Sequence, residues 1–224
     1  MRASSSWAET SRTHGDGRTT GGLPRGSSIV ASVVASGVLV ALAWAIDRAG
    51  FMAMDDALFD AIRRTRTPAL DRIFRCVSWL GYNGTLVVDL ALGVGLAAGR
   101  RQAWRLFAGC VVGSLALSSA LKHLVARPRP GMDPGVLDRS WSFPSGHAMA
   151  AATLACVLTL WACKEPRFRW AAWAGWSFAL VVGLSRVYRG AHYPSDVLAG
   201  WAGAVAWTGG LYGIAAAFAR RSGS

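Results

Sequence analysis

Six apolar runs, each near the length of a membrane-spanning helix, limit what this chain can fold into more than any other feature. They occupy residues 27–46, 76–98, 103–121, 148–163, 170–185 and 197–219. A helix needs roughly 20 apolar residues to cross the hydrocarbon layer of a bilayer. In 224 residues, a hydrophobic content of 53%, 11 Trp and a mean hydropathy of +0.32 exceed what one small soluble core would bury. The sequence therefore predicts an all-α, polytopic membrane bundle with six transmembrane helices.

The alternative is a soluble protein in which some runs are buried core helices, and the short fourth and fifth runs favour it most. Tryptophans argue against it, because amphipathic rings prefer the headgroup level of a membrane. Those at or near the ends of runs are Trp44, Trp79, Trp104, Trp161 and Trp170. They are typical of membrane interfaces.

The two ends of the chain differ from the apolar runs. Residues 1–26 are rich in Ser, Thr, Gly and Arg and are expected to form a disordered tail, and 220–224 form a short C-terminal tail. The first run is too long for the apolar region of a secretory signal, and no small-residue cleavage site follows it. We expect it to be a retained anchor.

The net charge of +12 is shared among loops and forms no basic stripe on a soluble face. Membrane lipids rather than nucleic acid are therefore the expected partners. With the N-terminus in the cytoplasm, Lys and Arg number 12 inside and 12 outside, or 12 against 9 when Lys122, Arg129 and Arg186 are set aside. The short inner loops are also basic and nearly free of acid, which favours cytoplasmic N- and C-termini.

The stretch 51–75 mixes apolar and charged residues. Met54, Leu58, Ala61 and Ile62 recur at helical spacing, which indicates an amphipathic helix on the membrane surface. The four Cys, at 76, 110, 156 and 163, lack the paired spacing of a metal site or a disulfide framework. We interpret them as small buried hydrophobes.

Three clusters of polar residues stand at the ends of the apolar runs. They read Lys122-x6-Arg129-Pro130, Pro144-Ser145-Gly146-His147 and Ser185-Arg186-x5-His192-x3-Asp196. The third run ends at Lys122, the fourth begins near His147, the fifth ends at Arg186 and the sixth begins near Asp196. All three clusters therefore fall on one face of the membrane in either orientation.

These clusters hold the groups that phosphoryl transfer requires. Lys122, Arg129 and Arg186 supply cations for phosphate oxygens, without need of a metal. Ser145 and Gly146, just before a new helix, add backbone N–H groups at its positive end. Snorkelling at helix ends would explain any one of these cations but does not explain why three clusters share a face.

The two histidines suggest separate roles. His192 and Asp196 are four residues apart, so a carboxylate on one ring nitrogen would fix the tautomer and leave the other nitrogen free to attack phosphorus. His147 would then be the general acid for the leaving group. Zinc bound by the two histidines is the alternative, but no third ligand has suitable spacing and three cations would oppose a metal.

The ordered triple of clusters resembles the type 2 phosphatidic acid phosphatase (PAP2) family, which shares its core with vanadium-dependent haloperoxidases. The resemblance covers 27–219 and implies a membrane phosphatase domain with a PAP2/haloperoxidase-like core and no cofactor. It implies metal-independent hydrolysis through a phosphohistidine, with His192, Asp196 and His147 in the roles above. It also implies phosphate contacts from Lys122, Arg129, Ser145, Gly146 and Arg186.

The expected substrate is a lipid phosphate or diphosphate, such as phosphatidic acid, phosphatidylglycerol phosphate or a polyprenyl diphosphate. The expected location is a bacterial inner membrane with the site facing outward, and the oligomeric state is left open. Two other functions remain as alternatives: a non-catalytic binder or transporter of lipid phosphates, and a vanadate-dependent haloperoxidase. Outside the clusters, Asp89 lies mid-span and is either functional or a packed neutral group. Arg127 and His123 are interpreted as solvated or facing headgroups.

Overall fold

The structure is a computed structural model that describes residues 25–81, 85, 89, 101–131 and 140–221. All regular structure in these residues is helical, which confirms the all-α prediction. Seven α-helices have bounds within the described residues: α1 Arg25–Ala45, α2 Ala49–Arg63, α3 Pro68–Trp79, α4 Arg101–Val125, α5 Gly146–Lys164, α6 Arg169–Tyr188 and α7 Pro194–Arg221. A short 3₁₀ helix, Pro166–Phe168, joins α5 to α6.

Four of the described helices are long and apolar enough to cross a membrane. They are Gly26–Ala45, Ala103–Val125, Gly146–Lys164 and Pro194–Ala219, and they correspond to the first, third, fourth and sixth predicted runs. The fifth run is a 20-residue helix, α6, but it is not among the four. Most of the second run lies outside the described residues. The structure therefore supports four spans of the predicted six.

Helix α5 occupies the centre of the bundle and packs against α4, α6 and α7. Its inner faces carry small side chains, and Ala148, Ala151, Ala152 and Ala155 are fully buried. Small residues let helix backbones approach closely, which is how membrane helices gain contact without a hydrophobic driving force. Met149 of α5, Val182 of α6 and Ala204 of α7 belong to the same buried cluster.

Helix α1 packs along α7 at the side of the bundle. Ser32 Oγ donates a hydrogen bond to the backbone oxygen of Ala206 at 2.7 Å. The outer side of α1 remains exposed, as expected for a helix that faces lipid, with Val33 and Val40 among its most exposed residues.

Helix α2 confirms a helix in the amphipathic stretch, and its two faces differ in character. Asp55 and Phe59 are buried against the bundle, whereas Met54 and Leu58 are exposed at 52% and 49%. The exposed apolar side is available to a membrane surface. The buried side holds a carboxylate that periodicity alone did not single out.

Helix α3 begins earlier than the second predicted run, which starts at Cys76. Thr67 is its N-cap: Thr67 Oγ1 accepts a hydrogen bond from the Leu70 N–H at 3.3 Å, and Pro68 opens the helix. Of the predicted tails, residues 1–24 and 222–224 lie outside the described residues. Arg25 and Gly26 belong to α1, and α7 extends to Arg221.

Candidate active site

The two cations of the first cluster, Lys122 and Arg129, bind the same residue, Ser140. Lys122, near the end of α4, donates from Nζ to Ser140 Oγ at 2.7 Å. Arg129 donates from Nη2 to the same oxygen at 3.0 Å and from Nε to the Ser140 backbone oxygen at 2.6 Å. The x6 spacing thus brings Lys122 and Arg129 together around Ser140, between the end of α4 and the start of α5.

Arg129 also reaches the third cluster. Its Nη1 donates to the backbone oxygen of Ala191 at 2.8 Å and lies 3.2 Å from Nε2 of His192. Because a guanidinium can only donate, Nε2 accepts this contact with its lone pair. The second ring nitrogen must then carry the proton.

His192 is fully buried, and its ring is held from the other side by backbone. Nδ1 lies 2.8 Å from the backbone oxygen of Ser142, which can only accept, so Nδ1–H donates to it. Burial lowers the pKa of His192 to about 4, with Arg186 and Arg129 adding to the effect, while Asp196 opposes it. The ring is therefore neutral at pH 7, and Nε2 carries its lone pair toward Arg129.

Asp196 lies beside His192 but does not make the expected hydrogen bond to its ring. The distance from Asp196 Oδ2 to His192 Nδ1 is 3.7 Å, which is too long for a hydrogen bond. Oδ2 instead accepts from Ser142 Oγ and from the Tyr193 N–H at 2.9 Å. The orienting partner of His192 is the Ser142 carbonyl, which lies in the segment before α5 and is closer to Nδ1, at 2.8 Å, than the Asp196 carboxylate.

Arg186, in the last turn of α6, is 3% exposed and donates from Nη1 to Ser78 Oγ at 2.5 Å. Its backbone oxygen accepts from the Ala191 N–H at 3.0 Å, which closes the turn that leads to His192. Ser78 belongs to α3, so this helix contributes to the site although no sequence cluster pointed to it.

The second cluster forms the N-terminus of α5. The Ser145 N–H donates to the backbone oxygen of Asp196 at 2.9 Å, so this amide is engaged and is not the free donor that the sequence suggested. The side chain of Ser145 differs: Oγ is buried and has no hydrogen-bond partner among the described residues. Gly146 and the half-buried His147 follow in the first turn of α5.

A close approach of two backbones joins the second and third clusters. A Cβ at Gly200 of α7 would lie 2.7 Å from the backbone oxygen of Ser145 and 3.1 Å from the backbone nitrogen of Met149. Only glycine allows this separation. The N-termini of α5 and α7, both positive ends of helix dipoles, are therefore held side by side.

The position of Arg127 differs from the sequence-based expectation. It was expected to be solvated or to face headgroups, but it is 7% exposed and donates to two carboxylates, Asp196 at 2.8 Å and Asp55 at 2.8 Å. These pairings raise the pKa of Arg127 although burial alone would lower it. Asp55 lies 72 residues from Arg127, so the spacing of local motifs carried no sign of the pair.

Asp89 lies close to the site without belonging to the clusters. It is 7% exposed, and its Oδ1 has no partner among the described residues. It lines a cavity of about 10 Å³, room for about one water molecule, together with Ser114, Ser118 and Gly146. In the described part of the chain, no group of three or more His, Cys, Asp or Glu side chains could hold a metal ion.

Comparisons with known proteins identify the family of the chain. The model of the PAP2 superfamily matches residues 103–220, which contain all three clusters. The chain is 32% identical to phosphatidylglycerophosphatase B of Bacillus subtilis over 71% of its own length and 82% of that protein. It is 35% identical to an undecaprenyl-diphosphatase of Sulfolobus acidocaldarius over 39% of its length and 43% of that protein.

A solved structure has the same fold. The transmembrane PAP2 type phosphatidylglycerolphosphate phosphatase from Bacillus subtilis superposes with a TM-score of 0.71 and 26% identity, covering 85% of this chain and 96% of that one. The family match and the relatives thus define a phosphatase that hydrolyses phosphoester bonds, and they indicate, with the helices able to span a membrane, an integral membrane protein. The chain belongs to the PAP2 superfamily, as its motifs indicated.

Proposed function

We propose that this protein hydrolyses a phosphate monoester or diphosphate of a membrane lipid through a phosphohistidine on His192. The orientation of His192 is the observation that supports it most directly. Nδ1–H is held by the Ser142 carbonyl at 2.8 Å, and Nε2 carries a lone pair toward Arg129 at 3.2 Å. A neutral imidazole with one nitrogen tethered and the other beside a phosphate-binding cation suits attack on phosphorus.

In the first step, phosphate oxygens replace the contact of Arg129 with Nε2 and are held by Lys122, Arg129 and Arg186. The buried Ser145 Oγ, which has no partner among the described residues, donates to the same phosphate. The Nε2 lone pair then forms a bond to phosphorus, and the bond from phosphorus to the leaving oxygen breaks. His147 gives its proton to that oxygen, so the lipid leaves as an alcohol or a lipid phosphate.

The phosphorylated imidazole bears a positive charge, because Nδ1 keeps its proton. The Asp196 carboxylate, 3.7 Å from Nδ1, stabilises this charge without taking the proton. In the second step, neutral His147 accepts a proton from water, whose oxygen bonds to phosphorus as the bond to Nε2 breaks. Inorganic phosphate leaves, and both histidines return to their starting states.

A lipid substrate fits the position of the site and the nature of the relatives. Lys122 lies near the end of α4, Gly146 begins α5, and Asp196 lies in the first turn of α7, so the site is at the ends of helices that span the membrane. Lipid phosphates lie at that depth. The relatives compared above are named for a phosphatidylglycerol phosphate and for an undecaprenyl diphosphate.

Purified protein in detergent should release phosphate from at least one of phosphatidic acid, phosphatidylglycerol phosphate and a polyprenyl diphosphate. His192→Ala should lower turnover by about 10³-fold or more, because the nucleophile is lost. His123→Ala provides the matched control, since His123 is an exposed histidine at the end of α4. Equal phosphate release by wild type and His192→Ala, or binding of all three lipids without release, would overturn the proposal.

The location is proposed on the same basis. We place the enzyme in a bacterial inner membrane with both termini in the cytoplasm and the site facing outward, as the distribution of Lys and Arg favours. An outward-facing site suits the dephosphorylation of lipids that are presented outside the cell membrane.

A further inference from the structure

A buried charged cluster lies behind the catalytic turn and is not part of the phosphate site. It consists of Asp55, Arg127, Ser195 and Asp196, whose exposed fractions are 2%, 7%, 2% and 0%. Its members come from α2, the segment after α4, and the first turn of α7. Buried charges are costly unless they are paired and hydrogen-bonded, so this cluster requires an explanation.

Arg127 joins the two carboxylates. Its Nη1 donates to Asp196 Oδ1 at 2.8 Å and to Ser195 Oγ at 2.8 Å, and its Nη2 donates to Asp55 Oδ2 at 2.8 Å. Both terminal nitrogens of Arg127 are therefore engaged with this cluster, whereas Lys122 and Arg129 converge on Ser140. Arg127 therefore supports the site from behind and is not one of the cations that we assign to the phosphate.

Asp55 holds the turn from the opposite side. Its Oδ1 accepts from the Ser195 N–H at 3.0 Å, and its Oδ2 accepts from Ser195 Oγ. One carboxylate of α2 thus fixes both Arg127 and the residue directly before Asp196. Removing either charge would leave a buried partner without its counter-charge, which costs more than the pair contributes.

The cluster determines how the Asp196 carboxylate is presented to His192. Asp196 Oδ1 is held by Arg127, while Oδ2 is held by Ser142 Oγ and the Tyr193 N–H. With both oxygens fixed, the carboxylate cannot rotate, and Oδ2 stays 3.7 Å from His192 Nδ1. Without Arg127, only the Oδ2 contacts would remain.

Aromatic contacts attach the same helix to the same turn. The ring of Phe59, one helical turn after Asp55, lies 5.5 Å from that of Tyr193 between centroids. The Arg127 guanidinium lies over the Tyr193 ring, 4.0 Å from its centroid. Helix α2 is therefore fastened to the segment between His192 and Asp196 by apolar as well as charged contacts.

We propose that Asp55 and Arg127 are positioning residues of the active site, which fix Asp196 so that it stabilises the charged imidazole of the phosphorylated His192. This inference rests on the proposed function. Neither residue contacts the substrate. Their loss therefore slows the formation and breakdown of the phosphohistidine and leaves lipid binding nearly unchanged.

The test measures kcat and KM with the panel lipid that gives the highest turnover. Asp55→Asn and Arg127→Met should each lower kcat by about 10- to 100-fold, as expected when a reacting group is displaced, with KM changed by less than about 3-fold. Arg127→Lys should recover part of the loss, because an ammonium can meet one carboxylate at a time. Asp60→Asn, an exposed aspartate of the same helix, is the control and should behave as wild type.

The double variant of Asp55 and Arg127 tests whether the two residues act together or independently. If Asp55 acts through Arg127, the double variant should lose no more than about twice what Arg127→Met loses alone, whereas independent contributions would multiply. Ser195→Ala is a milder variant that serves if the others fold poorly. It removes the bridging hydroxyl and keeps the charges of Asp55 and Arg127. It should lower kcat by about 3- to 10-fold.

Thermal unfolding of each variant gives the folded fraction to which kcat is normalised. Three results would each overturn the positioning role. They are a rise in KM at unchanged kcat, a kcat of the double variant reduced by the product of the two single losses, and an unchanged kcat per folded molecule. Wild-type turnover that His192→Ala abolishes establishes the proposed function separately. A failure of the Asp55 and Arg127 variants would therefore leave that function standing.

Discussion

His192 is surrounded by groups with opposing effects on its charge. Asp196 at 3.7 Å favours the protonated ring, whereas complete burial and the cations Arg186 and Arg129 disfavour it. Burial prevails, and the pKa of His192 falls to about 4. In the proposed mechanism, this arrangement keeps the imidazole neutral before attack and places a carboxylate near the positive charge of the phosphorylated ring.

We therefore expect the His192 ring to titrate near pH 4 and not near its usual 6.5. Nuclear magnetic resonance of ¹⁵N-histidine-labelled protein checks this, with His192→Ala to assign the resonance among four histidines. The corresponding stability is fully present above about pH 6.5 and is lost as pH falls toward 4, because the unfolded chain binds the proton first. A His192 resonance that titrates at pH 6 or above would contradict the expectation.

At the scale of elements, the site depends on how closely α5 and α7 approach. The Ser145 N–H to Asp196 oxygen bond, at 2.9 Å, links the first turns of the two helices, and Gly200 lets their backbones meet. The second and third clusters are thus one structural unit although about 40 residues separate them in the chain.

Gly200→Ala should lower phosphatase activity by about 10-fold or more. The added Cβ would lie 2.7 Å from a backbone oxygen, which cannot move without shifting the start of α5. Overpacking costs about 1–3 kcal/mol, more than the gain of up to about 1 kcal/mol from replacing a helical glycine. Phosphate release and the thermal midpoint of unfolding measure both effects.

Gly37→Ala is the matched control, because Gly37 lies in α1 with nothing within 4 Å of its Cβ position. It should keep full activity and be equally or slightly more stable. Equal activity of the two variants would show that the close approach of α5 and α7 does not determine the geometry of the site.

Periodicity and run length predicted the positions of the helices better than the contacts between them. The runs that became α1, α4, α5 and α7 were visible because each is nearly free of charge over about one membrane thickness. Helix α6 also follows its run and is 20 residues long, but it is not among the helices apolar enough to span, so length alone does not make it a span.

From the sequence, the site could be predicted only for residues that belong to short local motifs. The clusters name Arg129, His192 and Asp196, which the structure brings within a few ångströms of one another. Asp55 and Arg127 were missed because their pairing depends on tertiary contact across 72 residues. One signal was present: Asp55 lies on the same helical stripe as Phe59 and Ile62, and a charge on an apolar stripe needs a buried partner.

At the scale of the whole molecule, α5 is one of the helices long and apolar enough to span a membrane, so we expect the loops before and after it to lie on opposite faces. The loop before it leads into the site, and the loop after it holds the exposed Arg167. The orientation of the enzyme can therefore be determined from two positions.

In intact cells, a membrane-impermeant maleimide should label Val136→Cys and should label Arg167→Cys only after permeabilisation. Both variants are made in protein whose four native cysteines are replaced by alanine. Cytoplasmic termini place residue 136 outside and residue 167 inside. The reverse pattern would invert the proposed orientation and place the site in the cytoplasm.

In the proposed mechanism, the contact between Arg129 Nη1 and His192 Nε2 determines when the nucleophile becomes free. A lone pair engaged by a guanidinium N–H is a poor nucleophile, and an anion frees it by attracting that guanidinium. A neutral molecule exerts no such attraction. If His192 is the nucleophile, as proposed, its reactivity therefore depends on the arrival of an anionic group at Arg129.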